Sequence, residues 1–496
     1  MVQPSQSSIE STARGNALLS MNPYEFRVGL FGIGLEAYWT QFPGLEPRLR
    51  GYLGQVAARL EASGRRVIDF GLVDSLDQAV ATAHAVRREN PAILLLYATT
   101  YALSSTVLAV VRRLPIPVLV LNLQPHAAID YTRFNALGDR TAMTGEWLAF
   151  CSACPMPEIA NVFARAAIPF RQVTGVLEGD PVCWQQIEDW VEAAHVMHAL
   201  EHCRLGLMGH YYSGMLDIVT DLTRLCAVFG PQIEMLEVDE LSAMRAALQP
   251  PEIEQQRDRI LEVFDVEPNC DPNELLRAAR TAAALERFAD HHRLSALAYY
   301  YKGSGIDANE DTIGSIILGT SLLTARGIPV AGEYEVKNVI AMKIMDLFGA
   351  GGSFSEFYGV DFNDGIVLMG HDGPGHPGIA AGKVKVRPLL VYHGKVGRGL
   401  SIEMSVAHGP VTLLSVAEDP VHGFKLLVAE GASEPGPILE IGNTNSRYRF
   451  SPGPRAFLEA WNAQSPAHHC AIGVGHIADK IRKLASLLSA GFTQIC

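Results

Sequence analysis

Cysteine and positive charge are both scarce in this chain. Eight cysteines are spread over 496 residues without the spacing of a disulfide framework, which favours a reducing, cytoplasmic location. Lys and Arg number 40 against 53 Asp and Glu, so the formal net charge is −13. We find no local Lys/Arg cluster in the sequence that would reverse this balance. Nucleic acid is therefore not expected as a partner.

Long hydrophobic runs are also lacking. Pro91–Val111 carries no charge over 21 residues, about the length of a membrane-spanning helix, but Thr and Ser interrupt its middle. This stretch instead predicts a strand, a polar turn and a helix, and we expect no membrane association. The Ser-rich N-terminus has no apolar core of a signal peptide, and residues 1–20 are predicted to form a flexible tail.

Short apolar strands alternate with helices in the first third of the chain. The predicted strands are Arg27–Phe31, Val67–Leu72, Ile93–Tyr97 and Pro117–Leu121, and the helices are Pro47–Ser63, Leu76–Glu89 and Ser105–Arg113. This alternation is typical of a doubly wound parallel sheet. Ligands of such sheets meet the loops at the carboxyl ends of the strands, here Gly32–Thr40, Ala98–Ser104 and Asn122–Ala127.

A second alternation follows, and after it the pattern changes. Strands are predicted at Leu205–Met208, Ile233–Leu236 and Leu297–Tyr301, with helices over 251–268 and 272–291. Short β-type runs then occur at Val384–His393, Leu400–Ala407, Val411–Ala417 and Phe424–Glu430, as in a barrel or sandwich. We therefore predict an α/β protein with two doubly wound parallel-sheet domains, 21–175 and 176–325, and a C-terminal β-barrel-like domain, 326–496.

Two short motifs carry little functional information. Gly32 and Gly34 follow a strand, but the third glycine of a dinucleotide fingerprint is missing, so a nicotinamide dehydrogenase is a minor alternative. Cys151 and Cys154 form a C-x-x-C pair without the two further ligands that a zinc site needs. Inert buried thiols are the simpler interpretation.

Acidic and histidine residues concentrate between 330 and 376. Glu333 and Glu335 follow an apolar run, Glu356 follows a glycine-rich segment, and His371 ends a predicted strand. A further pair, His468–His469, lies about a hundred residues on. Two carboxylates and two imidazoles on strand-end loops can form an octahedral site with two open positions, which suits Mn²⁺, Mg²⁺ or Co²⁺. The alternative is that these are ordinary solvated loop residues.

The same segments carry a family resemblance that extends over most of the chain. The runs AGEYEVKN, SFSEFY, VLMGHDGPGHPGIA and AHHCAIG resemble, in order, the metal motifs of the L-arabinose isomerase family within the arabinose/fucose isomerase superfamily. NLQPHAA, GEWLAFCSA and LAYYYKG are similar to further stretches of that family. The resemblance implies two α/β domains with a β-barrel-like domain, and assembly into trimers or hexamers in which a neighbouring subunit completes each pocket.

Carried over residue by residue, the resemblance implies a metal site and a sugar pocket. The metal ligands would be Glu333, Glu356, His371 and His469, with Mn²⁺ as the cofactor and Co²⁺ or Mg²⁺ as alternatives. The substrate contacts would be Gln124, Tyr101, Met215, Tyr301, His468 and Asp372. The sequence departs from the arabinose enzymes at 372–376, beside His371. The resemblance therefore does not determine which sugar is bound.

The predicted function is a metal-dependent aldose–ketose isomerase acting on a free sugar. Glu333 and Glu356 would transfer the protons through a cis-enediol. The alternatives are a metal-dependent lyase or epimerase acting on a sugar or polyol derivative, and a non-catalytic sugar-binding protein. A homo-oligomer with a small sugar as its ligand is expected in the first case.

Overall fold

The structure of the chain is a computed structural model, which describes residues 25–303, 305–390, 398–421 and 423–496. The predicted tail, 1–20, lies outside the described residues. The chain divides into two compact units, Met1–His198 and Ala199–Cys496. The three-domain division at 175 and 325 stays a prediction.

The first unit is built on a five-stranded parallel sheet of order β2-β1-β3-β4-β5. Its strands are β1 (Arg27–Ile33), β2 (Arg66–Val73), β3 (Ile93–Tyr97), β4 (Val118–Gln124) and β5 (Phe170–Val176). Its helices are α1 (Ala37–Gln41), α2 (Leu45–Ala62), α3 (Leu76–Glu89), α4 (Ser104–Val111), α5 (Tyr131–Ala136), α6 (Arg140–Leu148), α7 (Met156–Arg165) and α8 (Pro181–Glu201). This strand order is that of a doubly wound sheet, as predicted.

The uncharged stretch at 91–111 folds as the sequence pattern predicts. It forms β3, which is fully buried, a short turn, and α4. Among the described residues, no helix is long and apolar enough to cross a membrane.

The second unit begins with a smaller parallel sheet of order β10-β9-β6-β7. Its strands are β6 (Arg204–Gly209), β7 (Gln232–Leu236), β9 (Ala296–Tyr300) and β10 (Val330–Ala331). The helices of this region are α9 (Leu222–Phe229), α10 (Val238–Ala246), α11 (Pro250–Val263), α12 (Pro272–His291), α13 (Asp307–Ile313), α14 (Ile317–Ala325) and α15 (Val336–Leu347). The predicted helix over 251–268 ends early because β8 (Asp265–Val266) interrupts it.

A closed six-stranded antiparallel barrel completes the second unit. Its strands, in order around the barrel, are β15 (Gly409–Asp419), β18 (Cys470–Val474), β11 (Gly351–Asp361), β12 (Ile366–His371), β17 (Thr444–Phe450) and β16 (Gly423–Glu434). Pairing of β16 with β15 closes the ring, and β19 (Gly491–Gln494) adds to β16 in parallel. The helices α16 (Pro454–Asn462) and α17 (Ala478–Leu487) belong to this region. A β-barrel-like C-terminal domain was predicted, and the structure shows a closed barrel in this part of the chain.

A small sheet of order β14-β13-β8 accompanies the barrel. Strand β13 covers Lys385–Pro388 and β14 covers Leu400–Glu403, both shorter than predicted. Strand β13 ends at Pro388, a residue that has no N–H to extend a ladder. Residues 391–393 of the predicted strand lie outside the described residues.

Candidate active site

The barrel register brings three of the four predicted ligands to neighbouring strands. Strand β11 lies between β12 and β18. Glu356 on β11 is paired with Gly370 on β12, so His371 is one residue away. On the other side Ser355 is paired with Cys470, so His469, the residue before Cys470, is also close to Glu356. Proximity of these residues therefore follows from strand pairing.

The position of Glu356 differs from the predicted one. We expected each ligand on a strand-end loop, but Glu356 lies inside β11, with five further strand residues after it. Gly351 and Gly352 of the glycine-rich segment before it begin the strand itself. His371 is the last residue of β12, and His469 directly precedes β18.

Glu333 reaches the site from a different element. It follows β10 in a left-handed backbone conformation with φ of 56°, and Tyr334 shares this conformation with φ of 62°. Non-glycine residues adopt this region at an energetic cost, which is a feature of functional sites. The backbone N–H of Tyr334 donates to the Tyr299 carbonyl, 3.0 Å away, and holds the turn.

Both candidate histidine ligands have one ring nitrogen occupied by the protein. His469 Nδ1 is 3.4 Å from a carboxylate oxygen of Glu335, and His371 Nδ1 is 2.9 Å from the Asp372 carbonyl. Since a carboxylate and a carbonyl only accept, each Nδ1 carries the proton. The Nε2 of each ring is then the atom left to bind a cation, the arrangement in which protein metal sites orient histidine.

The buried polar atoms at the centre fit a cation. Glu333 Oε2 and His469 Nε2 are 3.2 Å apart, yet both are buried without a well-aligned hydrogen bond among the described residues. Glu333, His371 and His469 offer ligand atoms that all lie within 4.8 Å of one another. Unsatisfied buried polar atoms need a partner, and a divalent cation would supply one here.

Glu356 belongs to a second, overlapping group. It forms a group within the same 4.8 Å limit with His468 and His469, and its Oε2 is 2.7 Å from His468 Nε2. The backbone N–H of His468 donates to Asp217 at 2.8 Å. The structure thus brings all four predicted ligands together, with Glu356 held on the His468 side.

The charged groups of the site shift one another's pKa values. Burial opposes protonation of His469, but the adjacent carboxylates of Glu333 and Glu335 outweigh it and raise the pKa of His469 to about 9 in the metal-free protein. Burial, with repulsion from His469, lowers the pKa of His371 to about 4. Burial opposes ionisation of Glu333 and Glu356, but the neighbouring histidines lower both pKa values below the usual range. The acids are therefore anionic at neutral pH.

Phe354 and Glu335 are functional neighbours that the sequence reasoning missed. The Phe354 ring lies 4.3 Å from the His371 ring and stacks on His469 at 4.5 Å. It shares a strand face with Glu356 two residues later, a period-2 signal visible in SFSEF. Glu335 occupies the N-cap position of α15 without a capping hydrogen bond from its side chain, and the helix dipole favours its charge there.

A cavity of about 240 Å³ opens on this centre. Its lining residues include Met215, Asp372 and His468 of the predicted substrate contacts. The full lining is Tyr212, Met215, Tyr299, Tyr300, Gly332, Glu333, Glu356, His371, Asp372, Pro374 and His468. The predicted contact Tyr301 is not among these residues; Tyr299 and Tyr300, its neighbours on β9, line the cavity instead.

Tyr101 and Gln124 belong to the first unit. The Tyr101 hydroxyl donates to Glu158 at 3.1 Å, and the Gln124 amide donates to the His126 carbonyl at 2.6 Å. Both lie near carboxyl ends of strands in the doubly wound sheet, and their contact with substrate stays a prediction. Gly34, on which the nicotinamide alternative depended, lies against Trp39: an added Cβ would be 2.8 Å from the indole.

Comparison with known proteins finds distant relatives that are named L-arabinose isomerases. No family model matches the chain. An L-arabinose isomerase of Shewanella sp. (strain MR-4) is 23% identical over 429 residues, covering 81% of this chain and 80% of that protein. Another, from Acidothermus cellulolyticus, is 25% identical over 346 residues, covering 66% and 67%. These identities indicate a distant relationship to L-arabinose isomerases.

A weak likeness to a solved structure was also found. A sugar-binding protein of a sugar ABC transporter from Bacillus halodurans shares 10% identity, covers 65% of this chain and 86% of that chain, and has a TM-score of 0.13. A TM-score this low carries no argument for a sugar-binding protein.

Proposed function

We propose that this chain is a metal-dependent aldose–ketose isomerase acting on a free sugar. The observation that supports it most is the cavity lined by Glu333, Glu356 and His371, next to His469, with the Nδ1 of both histidines already held by the protein. The distant L-arabinose isomerase relatives support the same reaction class. The divergent wall at 372–376 leaves the identity of the sugar open.

Glu333, His371, His469 and Glu356 would hold the cation. When bound, Mn²⁺, or alternatively Co²⁺ or Mg²⁺, supplies Lewis-acid polarisation of the substrate carbonyl and positive charge for the developing oxyanion. The buried atoms Glu333 Oε2 and His469 Nε2, which lack aligned partners among the described residues, support this ligand set.

Two carboxylates are available for the proton transfers. One takes the proton from C2 of the aldose and returns it to C1, while the other serves the two oxygens, through a cis-enediol. Glu356 is the stronger candidate for the carbon, because His468 rather than the cluster around Glu333 is its close partner. His468 is half exposed, with its pKa raised chiefly by the Glu356 hydrogen bond, so it can exchange protons with water.

Three tyrosines form part of the cavity wall. Tyr299 is buried, and the rings of Tyr212 and Tyr300 lie 4.9 Å apart at a tilt of 45°. Apolar walls strengthen the electrostatic interactions of the enediolate with the charged groups below. Assembly into trimers or hexamers and a cytoplasmic location stay predictions.

Conversion of free sugars tests this proposal. Pentoses, hexoses and deoxysugars would be incubated with the enzyme after chelation and again after Mn²⁺ is restored, and the products would be identified by NMR. Ketose formation only with Mn²⁺ is the expected result. Loss of carbon, or inversion without carbonyl migration, would instead assign a lyase or an epimerase. Binding without metal and without conversion would assign a sugar-binding protein.

Metal content tests the ligand assignment separately. His371→Ala and His469→Ala should each lower the affinity for Mn²⁺, and His476→Ala, on an exposed ring beyond β18, should not. Unchanged metal content in the first two variants would reject the assignment.

A further inference from the structure

A second and larger cavity lies next to the first. It measures about 830 Å³, and Glu356 and Asp372 line both cavities. We call the smaller one the inner cavity and the larger one the outer chamber, which is bounded by residues 357–358, 387–390 and 439–443 with Glu267, Asn269 and Ser401. The inner cavity is smaller than the usual range of about 300–1,000 Å³ for ligand sites, whereas the outer chamber falls within it.

A β-bulge shapes the boundary between the two cavities. The register of β11 against β12 shifts between Phe357 and Gly359, so that Tyr358 is the additional residue. Bulges redirect side chains and are common beside active sites. Here Glu356 lines both cavities, and Tyr358 lines the outer chamber. The buried Tyr358 hydroxyl faces the Asn443 side chain without a well-aligned hydrogen bond.

The charge of the outer chamber excludes an acidic occupant. Glu267, Glu356, Asp372 and Glu440 contribute carboxylates, and Arg387 is its only cationic lining residue among the described residues. The Arg387 guanidinium is already in two ion pairs, with Nε 2.9 Å from Glu267, although without a well-aligned hydrogen bond, and another nitrogen 3.0 Å from Glu403. A phosphate or carboxylate group would meet repulsion without a free cation to bind it.

The remaining walls suit a neutral polyhydroxylated ring. Leu390 is 80% exposed, Ile441 60% and Leu439 42%, which provides apolar surface for the C–H face of a sugar. The amides of Asn269 and Asn443 and the carboxylates provide hydrogen-bond partners for hydroxyl groups. An entirely apolar occupant would bury these polar groups unpaired, at a cost.

We propose that the outer chamber is a subsite for a second sugar unit, so that the substrate is a neutral reducing disaccharide. This inference rests on the proposed function. The carbonyl end, C1 and C2, would occupy the inner cavity, and the glycosyl group on C4 or C6 would extend past Glu356 and Asp372. The isomerisation moves hydrogen from C2 to C1 and from O2 to O1, leaves the glycosidic bond intact and needs no co-reactant.

Paired substrates provide the test. The Mn²⁺-loaded full-length enzyme would be assayed with glucose against cellobiose, maltose and melibiose, and with xylose against xylobiose. We expect kcat/KM to be at least tenfold higher for a disaccharide than for its parent aldose. Ile441→Asp should lower that ratio at least tenfold, because it places a charge on the apolar wall. Leu276→Asp, at an exposed leucine on α12, is the matched control and should leave the ratio unchanged.

A binding measurement separates this inference from the proposed function. Cellobiitol, maltitol and glucitol cannot be isomerised, and their affinities for the Mn²⁺-loaded protein would be compared by calorimetry. Conversion of monosaccharides without any preference for disaccharides would overturn the inference and leave the isomerase proposal intact. If no sugar is converted, tighter binding of cellobiitol or maltitol than of glucitol still supports the subsite, and equal or absent binding overturns it.

Discussion

The Nδ1 of His469 lies 3.4 Å from the carboxylate of Glu335, and both side chains are completely buried. This contact fixes the proton on Nδ1 and leaves Nε2 directed towards Glu333. A carboxylate behind a histidine also increases the basicity of the ligand nitrogen. Glu335 is thus a positioning residue, although it lines neither cavity.

Glu335→Gln should lower the affinity for Mn²⁺ by about 10–100-fold, the usual effect of removing such a partner. The amide preserves the size of the side chain and removes its charge. Titration calorimetry with Mn²⁺ measures the change. Glu434→Gln is the matched control, since that carboxylate pairs with Arg449 at the surface. Wild-type affinity in Glu335→Gln would contradict the orienting role.

Glu356→Gln should reduce kcat by about 10²–10⁴-fold, the range of a lost general acid or base. Because the Glu356 hydrogen bond is the largest cause of the raised His468 pKa, the same variant should lower that pKa. Steady-state kinetics and NMR titration of His468 measure the two effects. Glu333→Gln should also abolish turnover, but with weaker metal binding. Near-normal rates in both variants, with the fold intact, would reject the mechanism.

The sequence allowed much of the fold to be predicted, because local patterns decide it. The predicted bounds of α3 and β3 agree with the structure, since continuous apolar runs and capping residues mark their ends. Closure of the barrel could not be predicted. It depends on pairing β18 with both β11 and β15, and the register of such distant strands is not encoded in any short segment.

In the candidate site, too, local sequence motifs could be recognised, whereas contacts between distant segments could not. His371 and His469 could be singled out by motif, and the structure brings the predicted ligands into two overlapping groups. The bulge at Tyr358 could not be foreseen, because it arises from a mismatch between two strands rather than from either one. Glu335 was visible in the sequence, but only the folded chain shows that it contacts His469.

The raised pKa of His469 predicts that the metal-free protein loses stability as the pH rises. An unperturbed histidine titrates near about 6.5, and His469 titrates at about 9 in the fold. Its protonation therefore stabilises the fold fully below about pH 6.5, and this contribution, at most about 3 kcal/mol, is lost as the pH rises through about 9. Urea denaturation of chelated protein at pH 6.5 and 9 measures it.

His469→Gln is the control for this pH dependence. The variant cannot take up the proton, so its stability should change less between the two pH values than that of the wild type. His371, whose pKa is lowered to about 4, stays neutral in the fold over this range. It contributes at most about 0.4 kcal/mol of opposite sign, from protonation of the unfolded chain at pH 6.5, and does so in both proteins. Equal pH slopes for wild type and His469→Gln would show that another group is responsible.

Phe354→Ala should destabilise the protein by about 3–5 kcal/mol, as expected for a buried aromatic side chain. The ring is 1% exposed and contacts both His371 and His469, so the vacated space should also let the two imidazoles rotate. Thermal denaturation and Mn²⁺ titration together measure these effects. Phe362→Ala, at a 61% exposed ring in the same barrel, should change neither. Loss of stability without any loss of metal affinity would limit Phe354 to packing.

Gly370→Ala should separate β12 from β17 and displace His371, the adjacent residue and a proposed metal ligand. A Cβ at Gly370 would lie 1.7 Å from the Thr444 carbonyl oxygen, so one of the two backbones must move. Thr444 also exchanges two hydrogen bonds of 2.9 Å with the backbone of His371, and the displacement therefore reaches the metal site. Overpacking of this kind costs about 1–3 kcal/mol or more in the free energy of unfolding.

Gly359→Ala on β11 is the matched control, because a Cβ there meets no atom within 4 Å. We expect Gly370→Ala to lower both the melting temperature and the Mn²⁺ affinity. Gly359→Ala should retain both. Equal melting temperatures and affinities in the two variants would mean that the contact with Thr444 does not constrain the site.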